Sequence, residues 1–171
     1  EINQGSERIS EIVKSLKSYV YLDQAPVQAV DIHEGLNNTL VMLRHKLKEG
    51  IEVKRHYAEG IPQIQAYGSE LNQVWTNIID NAIDAMNGKG EIKITTRQKG
   101  DWVTVDLEDN GPGIPVADRE NVFRRFFCLE SSRGLQPGSG LGLSLVQAVV
   151  KMHRGSIRLL DNRPGLKVEV T

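Results

Sequence analysis

The residues from 70 to 86 carry the pattern that most constrains how this chain folds. Their apolar side chains recur every three or four positions, which is the period of a helix with one buried face. Asn77, Asn81 and Asp84 fall on a polar stripe beside that face, and Ser69 is the expected N-cap. Asn is a mediocre helix former, so two on one stripe need a reason. Their amide oxygens suit Mg²⁺, although a stripe that only faces solvent is an equally good interpretation.

Length and charge limit the class of protein. The 171 residues are enough for one domain with a proper core and some appended structure. A net charge of −1 gives no general attraction to nucleic acid, so no nucleic-acid partner is expected. No apolar run reaches membrane-spanning length, and the single cysteine, Cys128, excludes an internal disulfide and indicates a reducing compartment. Because the chain begins at Glu1 close to an amphipathic pattern, we interpret it as a fragment of a longer protein.

The remaining periodicity predicts helices among strands that pair mostly as hairpins. An amphipathic helix at 6–22 has an apolar seam too short for a stable coiled coil, so it packs on this domain, on a second copy or on a missing partner helix. This order predicts an α+β fold, a two-layer α/β sandwich in which helices cover one face of a mixed, mostly antiparallel sheet, preceded by the first helix. The other expected elements are strands at 27–30, 51–57, 64–67, 91–96, 102–107, 156–160 and 167–170, a helix at 32–47 capped by Asp31, and a helix after Gly142.

Two glycine-rich loops stand next to these elements. Asp109, Gly111 and Gly113 lie in a tight loop after a predicted strand, where turn formation is an alternative explanation of Asp109. The residues from 128 to 139 are polar and aperiodic, which is typical of a flap. Glycines 138, 140 and 142 then lead into the last helix, where backbone N–H groups can approach an anion. Neither loop matches a dinucleotide fingerprint or a phosphate loop.

Taken in order, these motifs resemble the ATP-binding catalytic domain of sensor histidine kinases, a member of the Bergerat ATP-binding fold. An Asn-x-x-x-Asn helix is followed by a strand and Asp-x-Gly-x-Gly, then by a flap, and then by Gly-x-Gly-x-Gly-Leu at the start of a helix. The combination is far more specific than any one part. The resemblance covers residues 25–171, and residues 1–24 resemble the C-terminal part of the family's dimerisation and phosphoacceptor hairpin.

The resemblance implies roles for particular residues. Asn81 is expected to ligate Mg²⁺, Asn77 to act beside it near the phosphates, and Asp109 to accept a hydrogen bond from the adenine amino group. The aromatic segment 123–127 resembles the family's aromatic box at the base of the flap, although core packing would also explain it. The expected catalytic residues are Asn77 and Asn81, and the expected nucleotide site comprises Asn77, Asn81, Asp109, Gly111, Gly113, Ile114, Phe126, Arg133, Gly138, Gly140, Leu141, Gly142 and Leu143.

The resemblance also implies a reaction and its partners. The domain would bind ATP and Mg²⁺ and act as a protein-histidine kinase that passes the γ-phosphate to a histidine on a dimerisation hairpin, in cis or in trans. A response regulator receiver domain would be a further partner, and the N-terminal helix would offer a route to a homodimer. The domain would lie in the cytoplasm, on its own or as part of a membrane-bound sensor.

One position bears on the enzyme class. In the ATPases of this fold a Glu that activates water stands where this chain has Asn77, and an amide cannot act as a general base. That substitution favours phosphotransfer over hydrolysis. The alternatives are an ATPase of the same fold and a nucleotide-binding regulatory module, or pseudokinase.

Some positions depart from the family's pattern. His33 precedes an acidic residue, as the acceptor histidine does, but it lies after the hairpin segment, so the acceptor is expected outside this chain. Many relatives have Lys or Arg three residues after the second Asn, where this chain has Asp84. Lys89 or Arg133 is therefore expected to neutralise the phosphates, although Lys89 is more simply an exposed basic residue. The four histidines lack metal-ligand spacing and are expected at the surface: His33, His45, His56 and His153.

Overall fold

The computed structural model describes residues 26–47, 50–129 and 139–171. The predicted helix at 6–22 and the predicted flap residues Arg133 and Gly138 lie outside these ranges. Within them, the chain forms four α-helices, seven strands and two short 3₁₀ turns. The helices are α1 (Ile32–Met42), α2 (Arg44–Leu47), α3 (Gly68–Ala85) and α4 (Gly142–Met152). The strands are β1 (Gln28–Val30), β2 (Ile51–His56), β3 (Ile64–Ala66), β4 (Gly90–Lys99), β5 (Trp102–Asp109), β6 (Ile157–Asp161) and β7 (Leu166–Val170), and the 3₁₀ turns are Val116–Asp118 and Asn121–Phe123.

Five of the strands form one sheet in the order β2-β4-β5-β7-β6. Only β2 and β4 are parallel within it, and the other neighbours are antiparallel. β1 and β3 form a separate antiparallel pair. The predicted hairpin of β4 and β5 is present, with Ile94 opposite Leu107. The prediction of a mixed, mostly antiparallel sheet is confirmed.

The helices cover one face of this sheet, as alternation along its central strands requires. Ile94 and Val105 point into the core and are at most 1% exposed. On the opposite face, Asp106 forms ion pairs with Arg97 at 2.6 Å and with Lys167 at 2.8 Å. The α4 face predicted to be buried is buried, and it packs on α3 with the following residues: Leu145, Val146, Val149 and Val150. The two-layer sandwich therefore has a core between helices and sheet and a charged outer face.

Two helix boundaries differ from the sequence prediction. Asp31 does cap α1, because its carboxylate accepts hydrogen bonds from the N–H groups two and three residues later. The helix expected to continue to residue 47 breaks at Leu43, so that α2 is a separate short helix. Ser69 is not an N-cap: α3 begins at Gly68, and Tyr67 precedes it without a side-chain cap. The Tyr67 N–H donates to His153 Nε2, at the C-terminal end of α4, at 3.0 Å.

Of the four histidines predicted at the surface, His45 and His56 are exposed, whereas His33 and His153 are half-buried. His153 is half-buried, and its Nδ1 lies 2.8 Å from the Val149 carbonyl oxygen. The ring of His33 stacks on Tyr57 at 4.4 Å, and its Nε2 lies 2.8 Å from Thr96 Oγ1. Both rings therefore have structural partners. No helix within residues 26–47, 50–129 or 139–171 combines the length and the apolar composition needed to cross a membrane.

Candidate functional site

A cavity of about 850 Å³ lies between α3, the end of β5 and the segment that leads into α4. Gly111, Phe126 and Leu141 are not among its lining residues, and Arg133 and Gly138 lie outside the described residues. Residues expected at the nucleotide site that do line it are Asn77, Asn81, Asp109, Gly113, Ile114, Gly140, Gly142 and Leu143. The fold thus gathers motifs that are widely separated in sequence around one space.

Asp109 is the buried carboxylate of this cavity, at the end of β5. Its side chain is held by the N–H groups of Gly111 and Leu166, which donate to Oδ1 at 2.8 Å and 3.3 Å. Burial raises the pKa of Asp109 above 3.8, and these two hydrogen bonds oppose the shift. The turn-forming explanation of Asp109 therefore holds. However, no described residue donates to Oδ2, so that oxygen is available to a ligand in the cavity.

The backbone around Asp109 is held by the turn between β6 and β7. The Asn162 Nδ2 group donates to the Asp109 carbonyl oxygen at 2.7 Å. Gly165 has a φ of +113°, and a Cβ there would clash with the same carbonyl and lie 2.9 Å from Asn110 Cα. A Cβ on Gly113, whose φ is +73°, would lie 2.8 Å from the Gly165 carbonyl oxygen. Because Gly113 and Gly165 have no side chains, the loop after β5 can pack directly on the turn between β6 and β7. This contact fixes the position of the Asp109 carboxylate.

The wall between Asp109 and α3 is apolar. Side chains from the sheet and from α3 present flat hydrocarbon surface to the cavity, and most of them also belong to the core. Such a wall favours an uncharged group over a phosphate. Its members include Ile79, Ile83, Ile92, Leu107, Leu166 and Val168.

The opposite end of the cavity is formed by the polar stripe of α3 and the start of α4. A Cβ on Gly142 would lie 3.5 Å from Asn77 Oδ1 and 3.7 Å from Asn81 Nδ2, so the first residue of α4 faces both amides. The Asn77 Nδ2 group is buried and has no partner among the described residues, whereas Asn81 is exposed. Leu141, the N-cap of α4, offers no side-chain cap to the first-turn N–H groups. This end therefore concentrates hydrogen-bond donors next to two amides.

The base of the predicted flap packs by backbone contact. The Phe126 N–H donates to the Gly140 carbonyl oxygen at 2.9 Å, and a Cβ on Gly140 would lie 2.7 Å from the Phe126 carbonyl carbon. The Phe126 side chain is 68% exposed, whereas Phe127 lines the cavity. Phe123 and Phe127 pack against the core, so the core explanation holds for these two residues and not for the exposed Phe126 side chain. Phe126 contributes its backbone N–H to the contact with Gly140.

The comparisons with known proteins fit this geometry. The sequence profile of the family described as "Histidine kinase-, DNA gyrase B-, and HSP90-like ATPase" matches residues 67–171, which is more than half of the chain. The chain belongs to this family of ATP-binding domains. A solved structure of the mycobacterial sensor histidine kinase MprB is 30% identical, with a TM-score of 0.73, and the match covers 84% of this chain and 95% of that one. The catalytic domain of histidine kinase ThkA is 26% identical, with a TM-score of 0.74 and coverages of 84% and 94%.

Curated relatives place this ATP-binding domain on the sensor histidine kinase branch of the family. The signal transduction histidine-protein kinase ArlS of Staphylococcus epidermidis is 30% identical over 172 residues, which include 98% of this chain and 38% of that protein. The histidine-protein kinase/phosphatase MprB of Mycolicibacterium paratuberculosis is 32% identical over 164 residues, or 93% of this chain and 30% of that protein. The chain therefore spans less than half the length of these relatives.

Sequence reasoning missed three residues of this candidate site. Asn162 and Gly165 hold Asp109 from a turn more than fifty positions away, and Lys46 lines the cavity from α2. Lys46 Nζ lies 2.6 Å from Asp80 Oδ1 and 3.7 Å from Asp84 Oδ1. The Arg-Pro-Gly run at 163–165 is a turn signal that could have drawn attention to Gly165. Nothing local in the sequence marks Lys46.

Proposed function

We propose that this ATP-binding domain holds Mg·ATP in the cavity and passes the γ-phosphate to a histidine on a helical hairpin. The observation that carries the proposal is the position of the Asn77 amide, which faces the first residue of α4 at one end of the cavity. An amide cannot serve as a general base for water. Transfer to an external nucleophile therefore fits better than hydrolysis.

Asp109 and the apolar wall form the proposed adenine end. The free oxygen, Oδ2, would accept the hydrogen bond of the adenine amino group while Oδ1 keeps its two backbone donors. The purine ring would lie against the hydrocarbon surface of the wall. In this proposal the two oxygens of Asp109 have different roles: Oδ1 stabilises the turn and Oδ2 recognises the base.

Asn77, Asn81 and the start of α4 form the proposed phosphate end. An anionic phosphate oxygen is the acceptor that the buried Asn77 Nδ2 lacks, and the uncapped N-terminus of α4 favours negative charge. No group of three or more His, Cys, Asp or Glu side chains within the described ranges could hold a metal by itself. The amide oxygen of Asn81 suits Mg²⁺ as a single protein ligand. Mg²⁺ would keep water and phosphate oxygens as its other ligands. When bound, Mg²⁺ would neutralise phosphate charge during transfer.

The partners follow from the same proposal. The acceptor would belong to a dimerisation hairpin supplied in cis or in trans, with residues 1–24 as its C-terminal part and a homodimer as its natural assembly. His33 does not fit the acceptor role, because it stacks on Tyr57 and does not line the cavity. A response regulator receiver domain would accept the phosphoryl group next; ThkA, whose structure in complex with the response regulator TrrA is 22% identical, has this fold. Because the proposed reaction uses ATP, we propose a cytoplasmic location for it.

Binding is tested first, by calorimetry with the non-hydrolysable analogue AMPPNP. We expect binding by the parent chain that strengthens with Mg²⁺, loss of the Mg²⁺ effect in Asn81→Ala, and loss of binding in Asp109→Ala. Unfolding temperatures of all three proteins check that the fold is kept. A parent chain that does not bind AMPPNP would refute the proposal.

Transfer is tested next, with γ-labelled ATP and the purified dimerisation hairpin of a sensor kinase such as ArlS. We expect acid-labile label on the hairpin, none on a hairpin whose acceptor histidine is changed to Gln, and little phosphate release without hairpin. Fast phosphate release without labelled hairpin would instead identify an ATPase. AMPPNP binding with neither reaction would identify a regulatory module.

A further inference from the structure

Lys46 brings a positive charge to the wall of the cavity from outside the motifs that define the family. It lies on α2, and its ammonium group is 2.6 Å from Asp80 Oδ1 and 3.7 Å from Asp84 Oδ1. Both aspartates belong to α3, on the stripe that also carries Asn77 and Asn81, and all five side chains line the cavity. The ammonium group is therefore next to the end of the cavity where the proposed function places the phosphates.

The charge of this wall is unfavourable for a triphosphate. Among the described side chains beside the two amides, two carboxylates face one ammonium group. Asp84 stands where the resemblance leads one to expect a Lys or Arg, so the stripe has gained a negative charge where a positive one is needed. Neither of the two expected substitutes lies in the described wall, since Lys89 does not line the cavity and Arg133 is outside the described residues. Lys46 is the only Lys or Arg that lines the cavity within residues 26–47, 50–129 and 139–171.

The ion pairs of Lys46 are weak enough to rearrange. The side chain of Lys46 is 38% exposed, and those of Asp80 and Asp84 are 35% and 68% exposed. Ion pairs with this much solvent access contribute only about 0–1 kcal/mol. An ammonium group also has three hydrogens on a flexible stem, so it can keep a contact with Asp80 and donate to a phosphate oxygen at the same time.

We propose that Lys46 is the phosphate-binding lysine of this domain and replaces the cation that Asp84 displaced from the α3 stripe. The proposal rests on the proposed function and names a residue of the same site. Without nucleotide, Lys46 neutralises part of the acidic wall. With nucleotide, it donates to the triphosphate, and the two aspartates hold the ammonium group within reach.

The test compares Lys46→Ala with a matched control, Lys54→Ala. Lys54 is a similar lysine, 44% exposed and 2.5 Å from Glu91, but it does not line the cavity. Calorimetry is done with Mg·AMPPNP and with adenosine, which has no phosphate. We expect Lys46→Ala to weaken Mg·AMPPNP binding about ten- to hundredfold, as is typical for a lost hydrogen bond to a charged group, and to leave adenosine binding unchanged. Lys46→Arg should restore most of the affinity, and Lys54→Ala should match the parent.

A second set of variants separates contact with the phosphate from simple neutralisation of the aspartates. In the Asp80→Asn/Asp84→Asn background the acidic wall is gone, so a lysine that only neutralised it would have no further effect. We expect Lys46→Ala to weaken Mg·AMPPNP binding in this background as well. Unchanged affinity there, unchanged affinity in the single variant, or equal losses for AMPPNP and adenosine would each overturn the proposal. If the parent chain binds no AMPPNP, the proposed function fails first and this inference fails with it.

Discussion

The two ends of the cavity are built in different ways. At the Asp109 end, the backbone makes the site: two loops touch through Gly113 and Gly165, and the carboxylate is 6% exposed. At the α3 stripe, side chains on one helix face make the site, and Asn81 is exposed. The first end is part of the core, and the second is attached to its surface.

This difference predicts that mutations at the two ends affect different quantities. Changes that disturb the packed backbone at the Asp109 end are expected to lower the free energy of unfolding as well as nucleotide affinity. Changes at the exposed stripe residues Asn81 and Asp84 remove solvent-accessible groups, so we expect them to alter affinity and to leave the fold largely intact. The comparison fails if the stripe proves to be the more sensitive end for folding.

The largest effect is expected from Gly165→Ala. The new Cβ would clash with the Asp109 carbonyl and lie 2.6 Å from its carbon, at a φ of +113° that L residues rarely adopt. We expect a loss of about 3 kcal/mol or more in the free energy of unfolding, from strain and overpacking together, and loss of AMPPNP binding. Urea denaturation measures the first and calorimetry the second.

Gly60→Ala is the control for backbone strain alone. Gly60 has a φ of +73°, but its Cβ would meet nothing within 4 Å. We expect a cost of about 1 kcal/mol with nucleotide binding unchanged. Similar costs for the two variants would show that the contact between the loops contributes little to stability.

Asp109→Asn should weaken nucleotide binding strongly without harming the fold. The Asn oxygen can still accept from Gly111 and Leu166, so the turn is kept, but an NH₂ group replaces the free Oδ2. That NH₂ would face the adenine amino group, donor against donor. We expect AMPPNP to bind at least about a hundredfold more weakly, with an unfolding temperature equal to or above that of the parent, since a buried charge is removed.

Inosine nucleotides provide the complementary measurement for Asp109→Asn. Their ring carries a carbonyl oxygen in place of the amino group, so the new NH₂ would have an acceptor. The variant should therefore prefer ITP to ATP, reversing the preference of the parent. A folded variant that keeps the parent's ATP affinity and its preference for ATP over ITP would place the base away from Asp109.

The raised pKa of Asp109 predicts opposite effects of pH on folding and on binding. Burial favours the protonated carboxyl in the folded chain, so the contribution of Asp109 to stability is greatest below 3.8 and falls as pH rises through the raised pKa. Binding needs the ionised carboxylate, so affinity falls as pH drops through the same value. AMPPNP affinity measured from neutral pH downward should begin to fall above pH 3.8, and in Asp109→Asn this decline should be absent. A decline of equal size in that variant would assign it to another group.

The part of the fold that could be predicted is the part encoded by local patterns. Period and turn chemistry gave the hairpin of β4 and β5, the buried face of α4 and the cap at Asp31, because each depends on residues within a few positions. The predicted Ser69 cap is wrong: α3 begins at Gly68, and the N–H of the preceding Tyr67 bonds to His153, 86 positions away. Local preference for a Ser cap could not reveal that contact.

The candidate site could likewise be predicted only where local sequence patterns mark its residues. The asparagines and glycines are recognisable as motifs, and the fold brings them to one cavity. Lys46 is 34 positions from Asp80, and Leu166 is 57 positions from Asp109, so no spacing rule connects them. These contacts depend on the close packing of whole elements, which a single sequence does not display.

The smallest effect is expected from Gly142→Ala, on the other side of the comparison. The added methyl group would make ordinary contacts, 3.5 Å from Asn77 Oδ1 and 3.7 Å from Asn81 Nδ2, and Ala is a better helix former than Gly. We therefore expect stability equal to or slightly above that of the parent. The methyl group would occupy space next to both amides, so Mg·AMPPNP should bind about fivefold more weakly, equivalent to about 1 kcal/mol, while adenosine binding stays the same. If Gly142→Ala instead lowered stability and left Mg·AMPPNP affinity unchanged, the α3 stripe would be part of the core, and the proposed difference from the Asp109 end would be wrong.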